Sequence, residues 1–155
     1  MHRGFYRPHG GFPAWKPAGD PQEAIDEGLA WAARNDRADA LHLLAARGAS
    51  LDADVYRGTA MAWAASRGHV DSLRMLLELG ADPNAPTTFG GPDHGERATA
   101  LHLAAETNRV DAIQLLLDAG ADPTIRDARH DHTPGGWAEH GGQFAALAVL
   151  RDPGG

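Results

Sequence analysis

The sequence predicts an all-α solenoid of stacked helix–turn–helix units, and a threefold self-similarity carries the prediction. Each copy contains a Gly-Ala pair, at 48–49, 80–81 and 120–121. Self-similarity with a period of about 20 to 50 residues is typical of repeat architectures, in which each unit is one supersecondary motif. The segments that superpose with few differences are WAARNDRADALHLLAARGA (31–49), WAASRGHVDSLRMLLELGADPN (63–84) and LAAETNRVDAIQLLLDAGADPT (103–124).

The spacing of the Gly-Ala pairs divides the chain into units. Gly48 and Gly80 are 32 residues apart, whereas Gly80 and Gly120 are 40 apart. Natural helical repeats of this kind are about 33 residues long, so the third unit carries an insertion of about seven residues. A fourth unit begins at Thr133, which follows Thr99 by 34 residues. We therefore expect an irregular N-terminal arm over 1–19 and a repeat domain over 20–155, with units at 20–52, 53–84, 85–126 and 127–151.

Each unit is predicted to form two helices, A and B. Thr59, Thr99 and Thr133 precede the apolar runs of helix A, and threonine is a good N-cap because its side-chain oxygen accepts a bond from a free backbone amide. Apolar residues recur at helical spacing in helix B, as over 70–77. The glycine of each Gly-Ala pair follows helix B, where a left-handed residue ends a helix. A capping pattern at 20–23 predicts the start of the first helix A.

The pattern T-x-L-H-x-A-A, followed by V-D-x-x-x-x-L-L-x-x-G-A-D-P, resembles the ankyrin repeat. Residues 99–105 match it best, with alanine where proline is usual. The match covers about residues 24–151, although Ala62 replaces the histidine in the second unit and 135–136 is Gly-Gly instead of Leu-His in the fourth. The resemblance implies that His102 is a structural residue whose ring bonds to threonine and to loop backbone.

The resemblance also implies a protein–protein interaction module without a cofactor. Partners of that family usually bind in a concave groove, which projecting loops (the fingers) form together with the outer ends of helices A. Arginine and tyrosine are common binding anchors, so a partner with an acidic or carboxylate-bearing face is expected. Carried over to this sequence, the groove would begin at Arg34 and Asn35 and would contain Tyr56, Arg57, Ser66, Arg67, Phe89, His94, Arg97, Glu106, Thr107, Arg129, His130 and His140.

Nine histidines suggest a competing hypothesis, a small enzyme or a ligand- or metal-binding protein. Its site would use His94 of the long finger, the loop over residues 84–98, together with His130, His132 and His140 of the fourth unit. Two histidines and a carboxylate would suit zinc or iron, and histidine is the usual acid or base near neutral pH. The H-x-H spacing in a turn is nonspecific, however, and no nucleophile or phosphate-binding loop accompanies it. We therefore expect no metal and no catalytic residue.

The net charge of the chain limits the class of partner that we expect. The formal net charge is −7, and nucleic-acid binding needs a surplus of Lys and Arg, so we expect a protein partner and no nucleic acid. The chain has no cysteine, which excludes disulfides and thiolate metal sites. Its apolar runs are too short to span a bilayer, and the basic segment at the N-terminus lacks the apolar run of a secretory signal. A bacterial, cytoplasmic protein is the expectation.

Four further features complete the expectations. Trp31, Trp63 and Trp137 share one position in helix A, and core packing is favoured over a ligand-stacking ladder. The arm, residues 1–19, is either unstructured or lies along the first repeat with its aromatic residues buried. The finger, residues 84–98, is either a passive insertion or a functional loop. The segment 144–150 carries no charge, so we expect a homodimer through this C-terminal edge, with coverage by the arm as the alternative.

Overall fold

Eight α-helices make up the regular structure in the described part of the chain, which in this computed structural model comprises residues 21–54, 58–88 and 97–151. The arm therefore lies outside the described residues. In those ranges the only strand-like pairing is an isolated bridge between Thr87 and Ala98, so the all-α solenoid is confirmed. The helices are α1 (Pro21–Arg34), α2 (Ala38–Ala46), α3 (Ala60–Arg67), α4 (Val70–Leu79), α5 (Ala100–Glu106), α6 (Val110–Asp118), α7 (Pro134–His140) and α8 (Phe144–Arg151).

The helices pack as antiparallel pairs in two rows. The first helices of the pairs, α1, α3, α5 and α7, lie side by side, and so do the second helices, α2, α4, α6 and α8. Among the described residues, the main contacts of each pair are with the pairs before and after it in sequence, as in a repeat solenoid. None of the helices in the described ranges has the length and apolar content that crossing a bilayer requires.

The predicted threonine caps of α3 and α7 are present, whereas Asp20 of the capping pattern at 20–23 lies outside the described residues. The hydroxyl oxygens of Thr59 and Thr133 accept hydrogen bonds from the backbone amides of Ala62 and Gly136, both at 3.1 Å. Residues 48, 80 and 120, the glycines of the Gly-Ala pairs, all have φ near +100°, which confirms the left-handed ends of the second helices. These caps supply partners for backbone groups that short helices of seven to ten residues cannot satisfy internally.

The core consists mainly of alanine and leucine, because close helix rows leave little room for larger side chains. Trp63 and Trp137 are buried, with 7% and 8% of their surface exposed. The prediction that Trp31 is also a core residue is wrong, since 47% of it is exposed. Trp137 packs on Leu103 of the preceding pair, and α1 belongs to the first pair described. Trp31 therefore has no preceding helix pair in the described ranges to cover it.

The last helix pair is well packed despite its glycines. A Cβ atom on Gly136 would lie 3.2 Å from the Cβ of His132, so a glycine there permits the close approach of the preceding turn. The side-chain amide of Gln143 donates to the backbone carbonyl of Glu106, and the backbone amide of Ala146 donates to the side-chain oxygen of Asn108. These bonds attach α7 and α8 to the third pair.

Candidate functional site

The base of the long finger is held by hydrogen bonds to the rest of the molecule. The backbone amide of Thr87 donates to the carbonyl of Ala98 at 2.7 Å, and this bridge brings the two ends of the insertion together. The buried hydroxyl of Thr87 accepts the amide of Thr59, and Thr88 donates two bonds to the carboxylate of Asp54. The insertion therefore starts from a fixed base. The predicted groove residues that lie outside the described residues are Tyr56, Arg57, Phe89 and His94.

Two guanidinium groups lie over one indole ring at the ends of α1 and α3. The Cζ atom of Arg34 is 5.1 Å from the centroid of the Trp63 ring, and that of Arg67 is 5.6 Å from it. Both distances are within the range of a cation–π contact. We call Arg34, Trp63 and Arg67 the arginine–tryptophan cluster. Ser66, the next-to-last residue of α3, is buried and donates its hydroxyl to the backbone carbonyl of Trp63 at 3.1 Å.

Over the third and fourth helix pairs, the predicted groove residues include acidic, neutral and basic side chains. Glu106 and Thr107 at the end of α5 are half-buried, and the Thr107 hydroxyl donates to the Leu103 carbonyl at 2.7 Å. His140, in the last turn of α7, is exposed. Arg97 is exposed at the base of the long finger with a φ of 61°, a conformation that non-glycine residues adopt rarely. The row is thus basic over the first two pairs and mixed over the last two.

The last finger, the loop that contains residues 127–132, is organised around the buried carboxylate of Asp127. Its Oδ2 accepts the amide of His130 at 2.8 Å, and its Oδ1 accepts the amide of His132 at 2.8 Å and the indole N–H of Trp137 at 3.1 Å. The backbone amide of Asp127 also donates to the His132 carbonyl. These bonds fix a turn from which the side chains of Arg129 and His130 project as exposed groups.

His102 joins this turn to α5. Its Nδ1 accepts the amide of Thr99 at 3.0 Å, so its Nε2 carries the proton and donates to the carbonyl of His132 at 2.9 Å. The predicted structural role of His102 is therefore confirmed. Burial lowers the pKa of His102 below its ordinary value, although the bond to His132 and the charge of Asp127 act in the opposite direction. The ring is therefore neutral at pH 7.

The pKa of Asp127 is also shifted. Burial alone would raise it, but the hydrogen bonds from His130, His132 and Trp137 outweigh burial, and the pKa lies below its ordinary value. His102 adds a smaller effect in the same direction. A low pKa keeps the carboxylate charged, and the charged form is the one that accepts three donors. Asp127 thus holds the turn through charge-assisted hydrogen bonds.

The histidines of the alternative hypothesis do not assemble into a metal site in the described part of the chain. The rings of His130 and His132 are tilted relative to each other with centroids 6.1 Å apart, and His140 lies in a different element, at the end of α7. Across residues 21–54, 58–88 and 97–151, no group of three histidine or carboxylate side chains could hold a metal ion.

One residue of this site, Asp127, and one contact, that of Arg34 and Arg67 with Trp63, were not predicted from the sequence. Asp127 follows Gly120 by seven residues, as Thr87 follows Gly80, and both are buried acceptors of backbone amides. The seven-residue spacing from a helix-ending glycine could therefore have identified Asp127 as a buried acceptor from the sequence. No sequence signal indicated the contact of Arg34 and Arg67 with Trp63. The two arginines occupy different positions in their units and meet only when the helices pack.

The paired helices and the capped loops define a helical-repeat protein with a core made mainly of alanine and leucine. Family models describe the same repeats: ankyrin repeats in three copies match residues 20–87, and ankyrin repeats in many copies match residues 61–117. Together they span more than half of the chain, which belongs to the ankyrin-repeat family. Repeats of this family generally bind other proteins. A search of curated proteins found no match to the chain.

Proposed function

We propose that the protein binds another protein in the concave groove between the fingers and the outer ends of the first helices. The observation that carries the proposal is the row of exposed or half-buried polar side chains at these ends, above an interior that is buried. The contacting residues on helices would be Arg67, Glu106, Thr107 and His140, with Ser66 below them. The fingers would contribute Tyr56, Arg57, Phe89, His94, Arg97, Arg129 and His130.

The hydrogen bonds that hold the described parts of the fingers favour binding. The base of the long finger is bonded to the preceding loop, and the last finger is fixed by Asp127. A surface that is already ordered loses less conformational entropy when a partner binds, so more of the contact energy appears as affinity. Loops on a rigid scaffold are common sites of recognition for this reason. The alternative, an enzyme or metal site using His94, His130, His132 and His140, gains no support from the described residues, and we do not propose it.

The groove can be tested with substitutions on the two faces of the molecule. Arg67→Glu and His140→Ala change exposed groove residues, whereas Arg74→Glu changes an exposed residue of α4 in the other row of helices. Partners would be captured from a lysate of the native host and quantified by mass spectrometry. We expect one captured protein to be lost with the groove variants and retained with Arg74→Glu. A partner that is lost only with Arg74→Glu would contradict the proposal.

Shortening the long finger should separate binding from folding. Thr87, Thr88 and Ala98 hold the base, so residues 89–96 would be replaced by a short Asn-Gly turn while these residues are kept. We expect a nearly unchanged melting temperature, because the entropy of closing a loop depends weakly on its length. Partner binding should weaken, because Phe89 and His94 are removed. Unchanged affinity would show that the insertion is passive.

We propose also that two copies associate through the C-terminal edge. Phe144 at the start of α8 is 78% exposed, and Ala145 and Ala148 expose apolar surface where α4 and α6 have charged or amide side chains. Exposed apolar surface at the end of a repeat array favours contact with another surface, because burial removes it from water. A two-fold contact of α8 with α8 of a second copy would cover it.

Sedimentation equilibrium tests this contact directly. Phe144→Glu should shift the protein towards the monomer, since a charge in the contact must be desolvated. Phe144 is more suitable than Val149, which packs partly against the core. Leu43→Glu, which changes another exposed apolar residue at the opposite end of the stack, is the matched control and should leave the dimer intact. A wild-type protein that remains monomeric at high concentration would remove the dimer proposal.

A further inference from the structure

The N-terminal end of the stack exposes apolar residues whose equivalents in the next helix pair are covered. Trp31 and Leu43 are 47% and 51% exposed. Trp63, the equivalent of Trp31 in α3, is buried with Arg34 of α1 over its ring. Met75, the equivalent of Leu43 in α4, is half-buried and packs against the core. The difference is a preceding helix pair, which α3 and α4 have and which the described residues do not contain before α1.

A polar contact that recurs along the stack is also incomplete at this end. The residue before each later second helix bonds through its side chain to a backbone carbonyl near the end of the first helix in the preceding pair. These bonds join His69 to the carbonyl of Arg34, Arg109 to that of Ser66 and Gln143 to that of Glu106, at 3.2, 3.3 and 2.9 Å. Arg37 holds this position before α2, where it forms an exposed ion pair with Asp39 at 3.9 Å. The described residues offer it no carbonyl of a preceding pair.

The chain itself supplies a segment of suitable composition next to this end. The arm, residues 1–19, precedes α1, which begins at Pro21. Trp31 lies ten residues after Pro21, about 15 Å along the helix axis, and about five extended residues of the arm would span that distance. Aromatic rings have large apolar surfaces to bury. The aromatic residues of the arm are Phe5, Tyr6, Phe12 and Trp15.

The net charges of the arm and of the first unit are opposite. The arm contains Arg3, Arg7 and Lys16 and no acidic residue, whereas residues 20–52 contain seven acidic and three basic side chains. Opposite charges favour contact between the two segments. Because the arm is tethered to α1, its effective concentration at this end is on the order of millimolar, so a weak contact is sufficient. A second copy or a separate partner would lack this advantage.

We propose that the arm folds back over the N-terminal end of the stack and covers Trp31 and Leu43. Its aromatic rings take the place of a preceding helix pair, and one of its backbone carbonyls accepts a hydrogen bond from Arg37. A repeat array with two open ends can add copies at both, whereas a covered N-terminal end leaves α8 for the two-fold contact. The inference does not depend on the groove function, because it concerns the end of the stack and not the ends of the first helices.

NMR of the full chain with a soluble paramagnetic agent tests the coverage, because such an agent broadens the resonances of exposed protons. The wild type is compared with an arm variant of the same length. We expect severalfold stronger broadening of the Trp31 indole N–H and of the Leu43 methyl groups in the variant, at unchanged helix content by circular dichroism. The arm variant combines Phe5→Ser, Tyr6→Ser, Phe12→Ser and Trp15→Ser.

Substitutions on the stack provide the matched controls. Leu43→Ser removes apolar surface from the proposed contact, and Phe144→Ser removes it from the opposite end; both residues are exposed, so the fold is retained. Leu43→Ser should increase the broadening of Trp31, whereas Phe144→Ser should not. In the arm variant, Leu43→Ser should have little further effect, because the contact that it weakens is already absent.

Three results would overturn the proposal. Equal broadening of Trp31 in the wild type and in the arm variant would show that the arm does not cover it. Protection of Trp31 that disappears on dilution would assign the coverage to a second copy of the chain. An arm variant in which the broadening increases at Phe144 and not at Trp31 would place the arm on the C-terminal edge.

Discussion

Replacement of Trp63 by alanine is expected to lower the free energy of unfolding by about 3–5 kcal/mol, as for other large aromatic truncations in cores. Only 7% of Trp63 is exposed, and it packs in the continuous core of the helix rows. The substitution leaves a cavity between α1 and α3, and it also removes the ring beneath Arg34 and Arg67. Urea unfolding followed by circular dichroism would measure the loss.

Trp31→Ala is the matched control for this prediction. Trp31 occupies the equivalent position in the preceding unit, but 47% of it is exposed. Its truncation removes less buried surface and leaves no closed cavity, so we expect a loss of about 1 kcal/mol or less. Similar losses in the two variants would contradict the difference in packing between α1 and α3.

The extent to which the sequence predicts this fold differs between the interior and the end of the stack. Helix positions, caps and helix-ending glycines follow from local pattern, and the caps at Thr59 and Thr133 form as predicted because they involve atoms three residues apart. The exposure of Trp31 could not be predicted from the sequence, because Trp31 and Trp63 occupy equivalent positions in their units. Burial depends on the neighbour that covers a side chain, and the described residues contain no helix pair before α1.

The candidate site was predicted less completely than the fold. The structural role of His102 was predicted through the resemblance to the ankyrin repeat, and its ring bonds to Thr99 and to one loop as that resemblance implies. Asp127 was not recognised, because its carboxylate bonds to backbone amides three and five residues away and to a ring in the next helix. A turn of that shape depends on the whole loop. An isolated aspartate in a loop is more often a solvated residue, so composition alone gives no reason to choose it.

The carboxylate of Asp127 should make a large contribution to stability near neutral pH. Asp127→Asn keeps the shape of the side chain but loses the charge, and its amide NH₂ must face at least one of the donors from His130, His132 and Trp137. Hydrogen bonds to a charged group contribute about 1.5–3 kcal/mol each, and a buried donor left without a partner costs about 1–3 kcal/mol. We therefore expect a loss of about 2–4 kcal/mol at pH 7, measured by urea unfolding.

The pH dependence of this loss identifies its cause. Because the pKa of Asp127 is lower in the folded state than in the unfolded state, the folded protein holds the charged form more strongly. The stabilisation is complete above the unfolded pKa of about 3.9 and is lost as the pH falls through the lower folded pKa. The difference between wild type and Asp127→Asn should therefore be constant near neutral pH and shrink below about pH 4.

Asp122→Asn is the control for this experiment. The pKa of Asp122 is also lowered, by bonds from the hydroxyl and amide of Thr124, but its carboxylate is exposed. Water can replace those bonds, so the loss should be much smaller than for Asp127→Asn. The indole N–H resonance of Trp137 should shift in the Asp127 variant alone, because only that variant changes its acceptor. An Asp127→Asn protein that unfolds at the same urea concentration as wild type at pH 7 would show that the carboxylate does not hold the last finger, and that the turn carrying His130 is fixed by its backbone bonds.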